Sequence, residues 1–290
     1  MKLVRYGTLG AERPGLIDAD GHLRDLSSIV ADISAGTLRR DALARIARES
    51  SKGLPLVLEG MRLGAPVGNT GKFVAVGLNY RDHALESNMP IPAEPIIFTK
   101  ATSSITGPND DVMLPRHSKK TDWEVELGVV IGETASYVTE ARALDYIAGY
   151  CVVNDISERE YQLERGGTWD KGKGCDTFGP IGPYLVTTDE IADPQNLQMW
   201  LAVNGERMQT GNTNTMIFPV TALVSYISEF MTLYPGDIIT TGTPPGVGMG
   251  RRPNPVFLKA GDVIELGITG LGRQRQSVVQ WSPPPHGSFG

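Results

Sequence analysis

The amino-acid sequence predicts an α+β fold rich in strand: a mixed β-sandwich or β-roll preceded by a small N-terminal α/β domain. Three observations carry that expectation. Glycine and proline are abundant, 34 and 20 among 290 residues, and they punctuate many short apolar segments, as turns between strands do. Helical spacing of apolar residues is confined to a few stretches. The texture also changes at Lys72, after an apolar, turn-rich stretch without clear period over residues 53–71. We therefore expect a small domain over 1–71, a larger domain over 72–281, and a disordered tail over 282–290, whose SPPPHGSFG cannot build a core.

Residues 1–6 read as a strand, and residues 15–26 as a hairpin turning at Asp20-Gly21. Residues 37–51 read as a helix with Leu38, Leu43 and Ile46 on one face. FVAVGLN (73–79), IIFTK (96–100) and EVELGVVIG (124–132) are apolar strands, and TEARALDYIAGYCVVND passes from a short helix into a strand that ends at Asp155. Val220, Leu223, Val224, Ile227 and Phe230 fall at helical spacing after Pro219, which suits a first turn. The phrases YPGDIITTGTPPGVG and LKAGDVIELGITGLG each place a Gly-Asp turn before a strand, which suggests neighbours in a rolled antiparallel sheet.

Composition excludes several function classes. With 33 acidic against 27 basic residues the formal charge is −6, which disfavours nucleic acid and anionic membrane as partners. No apolar run reaches the length of a membrane span and the start lacks a signal peptide, so a soluble, cytoplasmic protein is expected. Cys151 and Cys175 are too few for a disulfide framework or a cysteine-built zinc site.

Several side chains could carry chemistry. Glu124 and Glu126 alternate on one strand face while Trp123, Val125 and Leu127 pack opposite. Paired carboxylates suit a wet edge strand or a bound cation. Asp155 caps a following helix or supplies a third oxygen ligand to a site for Mg²⁺, Mn²⁺ or Ca²⁺. His83 and Glu86 would share one face of a helical turn, as a general base and its orienting carboxylate or as ordinary surface groups. Residues 167–174 nearly match a P-loop, but Gly174 stands where Ser or Thr should follow Lys173, and the charged segment before it is no buried strand. What remains is a glycine-flanked loop presenting Lys173, either to an oxyanion or to solvent. TTGTPPGVG offers hydroxyls and open backbone amides, for an anion or merely for a tight turn.

Taken together and in order, GLNYRDHALE, PIIFTK, DWEVELGVVIG, GYCVVNDISEREYQ, KGKGCDTFGPIGP, MIFPVTALVSYIS, PGDIITTGTPPGVG and AGDVIELGITGLG resemble the fumarylacetoacetate hydrolase family over residues 72–279. The resemblance implies that family's C-terminal catalytic β-roll, a homodimer or a tetramer, and Mg²⁺, replaceable by Mn²⁺ or Ca²⁺, held by Glu124, Glu126 and Asp155. It implies that His83 and Glu86 activate water on a lid segment. Lys173 would meet the substrate's oxo group and Thr243 its carboxylate, with Lys100, Arg159 and Gln162 lining the pocket or its gate. No ligand or dyad residue is missing.

Members of the family act on small keto acids. The implied activity is hydrolysis of a C–C bond in a β-diketo acid, an acylpyruvate or a 2,4-diketo-3-deoxy sugar acid such as those from fuconate or rhamnonate, releasing pyruvate. The KGKGCDTFGPIGP version of the motif resembles both members described as ureidoglycolate lyases and members that hydrolyse such sugar acids, and the sugar acid is favoured within the hydrolase reading. Oxaloacetate decarboxylation and ureidoglycolate lysis on the same metal site are the alternatives. A non-catalytic, metal-stabilised binding protein is the alternative of another class.

Overall fold

A computed structural model describes residues 1–49 and 51–283. The main strands are β1 (Lys2–Tyr6), β2 (Arg13–Ile17), β3 (Leu23–Asp25), β4 (Phe73–Gly77), β5 (Ile96–Lys100), β6 (Val125–Ile131), β7 (Ile147–Asn154), β8 (Gly179–Thr187), β9 (Gln198–Val203), β10 (Glu206–Asn212), β11 (Ile238–Thr240), β12 (Val263–Ile268) and β13 (Gly272–Val279). The helices are α1 (Arg40–Ala47), α2 (Arg81–Glu86), α3 (Asp170–Lys173) and α4 (Val220–Phe230). Residues 284–290 lie outside the described residues, and the expected disordered tail lies largely with them.

The larger sheet has the order β3-β2-β1-β8-β7-β6-β11-β4-β5, and the smaller one runs β10-β9-β12-β13 to a short strand at Val112–Met113. Most neighbours are antiparallel, while β11 runs parallel to β4. The sheet is mixed, as the family resemblance implies. Residues 1–71 do not hold a sheet of their own: β1 pairs with β8, so β1–β3 extend the same sheet that carries the later strands. The two Gly-Asp phrases are also not neighbours, because β11 lies between β6 and β4 whereas β12 lies between β9 and β13 in the other sheet. The shared phrase encodes a turn before an apolar strand and says nothing of which strand pairs with it.

Both faces of the central strands are buried, which is why they read as unbroken apolar runs rather than alternating ones. Val125, Leu127, Val129 and Ile131 of β6 face one core, with the smaller sheet and α4. Val130, Cys151 and Val153 face a second core closed by Leu3, Leu26, Ile33, Leu38 and Ile46 of the N-terminal segment. Burying Leu38 and Ile46 stabilises by roughly 1.5–3 kcal/mol each. The α1 helix is shorter than the sequence suggests, since Arg39 is extended (ψ 148°) and starts it late. Pro219 is likewise extended and precedes α4 rather than lying in it.

The register brings several strand ends together. Val125 at the start of β6 pairs with Asn154 at the end of β7. Gly128 pairs with Thr240 at the end of β11, and Thr240 pairs with Ala75 of β4. The connections leaving β7, β11 and β4 therefore leave from one end of the sheet. They carry Asp155, Gly242-Thr243 and His83 respectively.

Candidate active site

Glu124, Glu126 and Asp155 converge at that end, with one carboxylate oxygen of each within 4.8 Å of the others. All three are nearly inaccessible, at 6%, 2% and 0% exposure, so the wet-edge reading of Glu124 and Glu126 is excluded. Asp155 does not cap a helix. Its carboxylate accepts from Lys100 Nζ at 2.6 Å and from Lys173 Nζ at 2.7 Å. Lys173 Nζ also donates to Glu124 Oε2 at 2.5 Å, and Arg159 Nη2 donates to Glu124 Oε1 at 2.6 Å.

Glu126 is held differently: its Oε2 accepts from the Thr240 hydroxyl at 2.5 Å and from the Gly242 amide at 2.8 Å, with no ammonium or guanidinium on it. Gly242 reaches that position with φ +89°, where a Cβ would stand 2.9 Å from Asn79 Cβ, so glycine is required there. Burial alone would push the Glu124 carboxyl up, but the Lys173 and Arg159 charges overcome it and hold it down to about 2. Glu126 is pushed well above the usual carboxylate range, by burial first and then by the Asp155 and Glu124 charges. Burial lowers Lys100, offset in part by Asp155; Lys173 is raised because Asp155 and Glu124 outweigh its burial.

Among the described residues Glu124 and Asp155 each meet cations and Glu126 meets none, so burial and the neighbouring carboxylates favour its protonated form as long as no cation is bound. An all-oxygen, buried set whose third carboxyl lacks a counter-charge fits a hard divalent cation, which would supply one.

His83 and Glu86 lie on α2, three residues apart, with Nδ1 3.2 Å from Oε2. The Glu86 carboxylate also accepts from the Gly246 amide at 3.1 Å, which ties α2 to the loop after β11. Gly246 sits at φ +103°, and a Cβ there would come within 2.0 Å of the Met208 carbonyl oxygen. Glu86 is held below its usual value, first by the His83 hydrogen bond, against partial burial, with help from Gly246. Nε2 of His83 forms no hydrogen bond among the described residues, so this nitrogen can take a proton.

His83, Glu124, Glu126, Arg159, Gln162, Lys173 and Thr243 line a single cavity of about 320 Å³. The structure thus brings together nearly every residue singled out in the sequence. Three placements differ from expectation. Lys100 does not face the cavity; its side chain is fully buried behind Asp155, where it also donates to the Ile156 carbonyl at 3.3 Å and to the Lys173 carbonyl. Lys173 ends a helical turn, α3, rather than riding an open loop, and is only 3% exposed. Thr243 lines the cavity with its hydroxyl engaged, donating to the Val125 carbonyl at 2.9 Å and accepting from Gln209 at 2.8 Å. Burial pushes the Cys175 thiol up to about 11, which keeps it an inert thiol at neutral pH.

Sequence reasoning missed the supports. Asp122 accepts from Arg159 Nε at 2.8 Å and from the amides of Gly248 and Met249 at 2.6 and 3.0 Å, joining β6 to the loop after β11. Its parity with Glu124 and Glu126 in DWEVE was the available signal. Asn79 donates to the carbonyls of Thr241 and Phe218 at 2.9 and 3.1 Å, and nothing in GLNY announces that role.

Residues 72–279 match the family model described as fumarylacetoacetate (FAA) hydrolase C-terminal. A protein of Burkholderia ambifaria, named provisionally as a hydrolase, is 63% identical over 277 residues, 96% of this chain and 98% of its own length. The solved fumarylacetoacetate hydrolase of Exiguobacterium antarcticum superposes with a TM-score of 0.86 at 34% identity, covering 97% of this chain and all of its own. The maleylpyruvate hydrolase of Sphingobium sp. SYK-6, solved in complex with manganese(II) ion and pyruvate, superposes with a TM-score of 0.81 at 30% identity, again over 97% of this chain and 100% of that one.

Proposed function

The chain belongs to the fumarylacetoacetate hydrolase family, and from that premise we propose that it is a metal-dependent hydrolase of β-diketo acids, cleaving a C–C bond to release pyruvate or a related keto acid. One observation carries the reading: His83, its Nδ1 held by Glu86, lines the same cavity as Glu124 and Glu126 of the buried carboxylate cluster.

Glu124, Glu126 and Asp155 are the residues that would hold the divalent cation, Mg²⁺ or Mn²⁺. When bound it would supply concentrated positive charge to the oxygens of a 2-oxo acid. The manganese and pyruvate of the Sphingobium relative support that choice of ion and product. Glu86 fixes the His83 ring through Nδ1, so that Nε2 removes the proton of a water attacking the distal carbonyl. As the C–C bond breaks, its electron pair passes to the oxygen of the pyruvate enolate, and the distal fragment leaves as a carboxylic acid. Lys173 is the ammonium on the cavity wall that faces this developing charge. The enolate then takes up a proton to give pyruvate. With the Thr243 hydroxyl engaged by Val125 and Gln209 and the Gly242 amide by Glu126, the backbone of Thr243 is what remains there for the substrate carboxylate.

The test is pyruvate release from acetylpyruvate, a 2,4-diketo-3-deoxy sugar acid and oxaloacetate, with Mg²⁺ or Mn²⁺ and after EDTA. Cleavage of diketo acids that EDTA abolishes is the expected result. Release from oxaloacetate alone would make the protein a decarboxylase and remove the need for the His83–Glu86 water. We extend the proposal to a homodimer in the cytoplasm, which light scattering and cell fractionation check.

A further inference from the structure

Each carboxylate of the floor has one oxygen fixed by a partner of its own. Arg159 Nη2 donates to Glu124 Oε1 and Lys100 Nζ to Asp155 Oδ1, both at 2.6 Å, while the Thr240 hydroxyl and the Gly242 amide share Glu126 Oε2. The second oxygens are held differently. Glu124 Oε2 and Asp155 Oδ2 are bridged by one group, the Lys173 ammonium, at 2.5 and 2.7 Å. Glu126 Oε1 accepts no hydrogen bond among the described residues. The oxygens left for a divalent cation are therefore the open one of Glu126 and the two that Lys173 bridges. The main chain of Lys173 is anchored, its amide donating to the Trp169 carbonyl at 3.1 Å and its carbonyl accepting from Lys100 Nζ. Its side chain lines the cavity beside the Phe98 ring, whereas Lys100 has no outlet there.

We propose that the Lys173 ammonium and a divalent cation compete for the same carboxylate oxygens, so that Lys173 gives up at least one of them on metal loading and its ammonium turns to the cavity. The proposal rests on the metal-binding reading above and adds an order to it. Lys173 is tied to the floor until its carboxylates are taken over, and only then is its ammonium available to the oxo group of a substrate. Two positive charges a few ångströms apart in a buried site repel strongly, so the ammonium opposes a cation on these oxygens. Before metal arrives, the same ammonium compensates two buried carboxylates that would otherwise destabilise the fold. Lys173 thus steadies the metal-free floor and weakens metal binding through one pair of contacts. With its main chain anchored on both sides, only the side chain has to move.

Two measurements test this, and neither reads turnover. In the first, wild-type protein freed of metal by EDTA is reductively methylated with formaldehyde and cyanoborohydride, with and without saturating Mg²⁺, and each lysine is followed by peptide mass spectrometry. Labelling of Lys173 should rise at least about fivefold with Mg²⁺, while Lys100, behind Asp155, stays protected in both. Labelling of Lys173 that Mg²⁺ leaves unchanged or lowers overturns the proposal. A parallel rise at Lys100 overturns it too, as a loosening of the whole floor rather than an exchange at one side chain. In the second, calorimetry follows Mn²⁺ binding to the wild type, Lys173→Met and Lys173→Arg. Lys173→Met should bind Mn²⁺ at least about tenfold more tightly than the wild type, and Lys173→Arg, which keeps a cation on the floor, should show no such gain. Affinity of Lys173→Met equal to or below that of the wild type overturns the proposal and leaves the metal reading in place. Absence of Mn²⁺ binding to the wild type removes that reading and the proposal with it. The labelling needs no variant, so it decides the matter even where Lys173→Met does not fold.

Discussion

The floor and the rim of the cavity hold their charges in different ways. On the floor, Glu124, Glu126 and Asp155 sit on or directly beside the central strands, buried, each fixed by at least two hydrogen bonds to groups from other elements. At the rim, His83 and Glu86 sit on a six-residue helix without a side-chain cap, with 13% and 28% of their side chains exposed. A buried carboxylate beside others must be compensated or it destabilises the fold, so the floor ties charge to stability. A solvated pair can change its proton without that cost. The difference teaches that holding charge and moving a proton are assigned to separate structural levels, and that variants should separate them.

The largest stability effect is expected at Lys100. Lys100→Met removes the ammonium behind Asp155 and leaves that carboxylate under-compensated, costing about 3–5 kcal/mol in urea unfolding of the metal-free protein. Unchanged stability would mean that Lys100 is not the structural counter-charge its burial implies.

Gly246→Ala joins the two levels and comes next. The alanine would be held at φ +103° against the Met208 carbonyl, so the loop must shift, at a cost of about 1–3 kcal/mol. Because Glu86 loses its amide partner, activity should fall with stability. Loss of stability with full activity would break the link between this loop and the His83–Glu86 pair.

A smaller effect follows from acid. Glu86 is held below its ordinary value, chiefly by the His83 hydrogen bond, so the stability it contributes is present above about pH 4.5 and is lost as pH falls through the lowered folded value. Glu86→Gln should flatten the acid limb of a stability–pH profile below about pH 4.5, as measured by urea midpoints at a series of pH values. An unaltered limb would place the pair's interaction outside the folding equilibrium.

Much of the site was legible because it sits where the sequence is regular. Alternation along DWEVELGVVIG puts Glu124 and Glu126 on one face, and the apolar run before Asp155 marks it as a strand end, so both survive as local patterns. His83 and Glu86 follow from helical spacing alone. What local pattern cannot encode is which element faces which. Lys100 reads as a strand residue near a pocket, yet its ammonium meets Asp155, 55 residues on, from behind. The two Gly-Asp phrases look alike and lie in different sheets, because the pairing of β11 with β4 is set by elements more than 150 residues apart.

The most direct test of the separation between floor and rim is a single preparation of His83→Ala, assayed for Mn²⁺ affinity by calorimetry and for acetylpyruvate cleavage. The variant should unfold within about 0.5 kcal/mol of the wild type, since it removes a partly exposed side chain at the rim. Mn²⁺ affinity should stay within about twofold while cleavage falls by roughly 10²–10⁴-fold, the range for loss of a general base. Retained cleavage, or metal affinity that falls together with cleavage, would contradict the account.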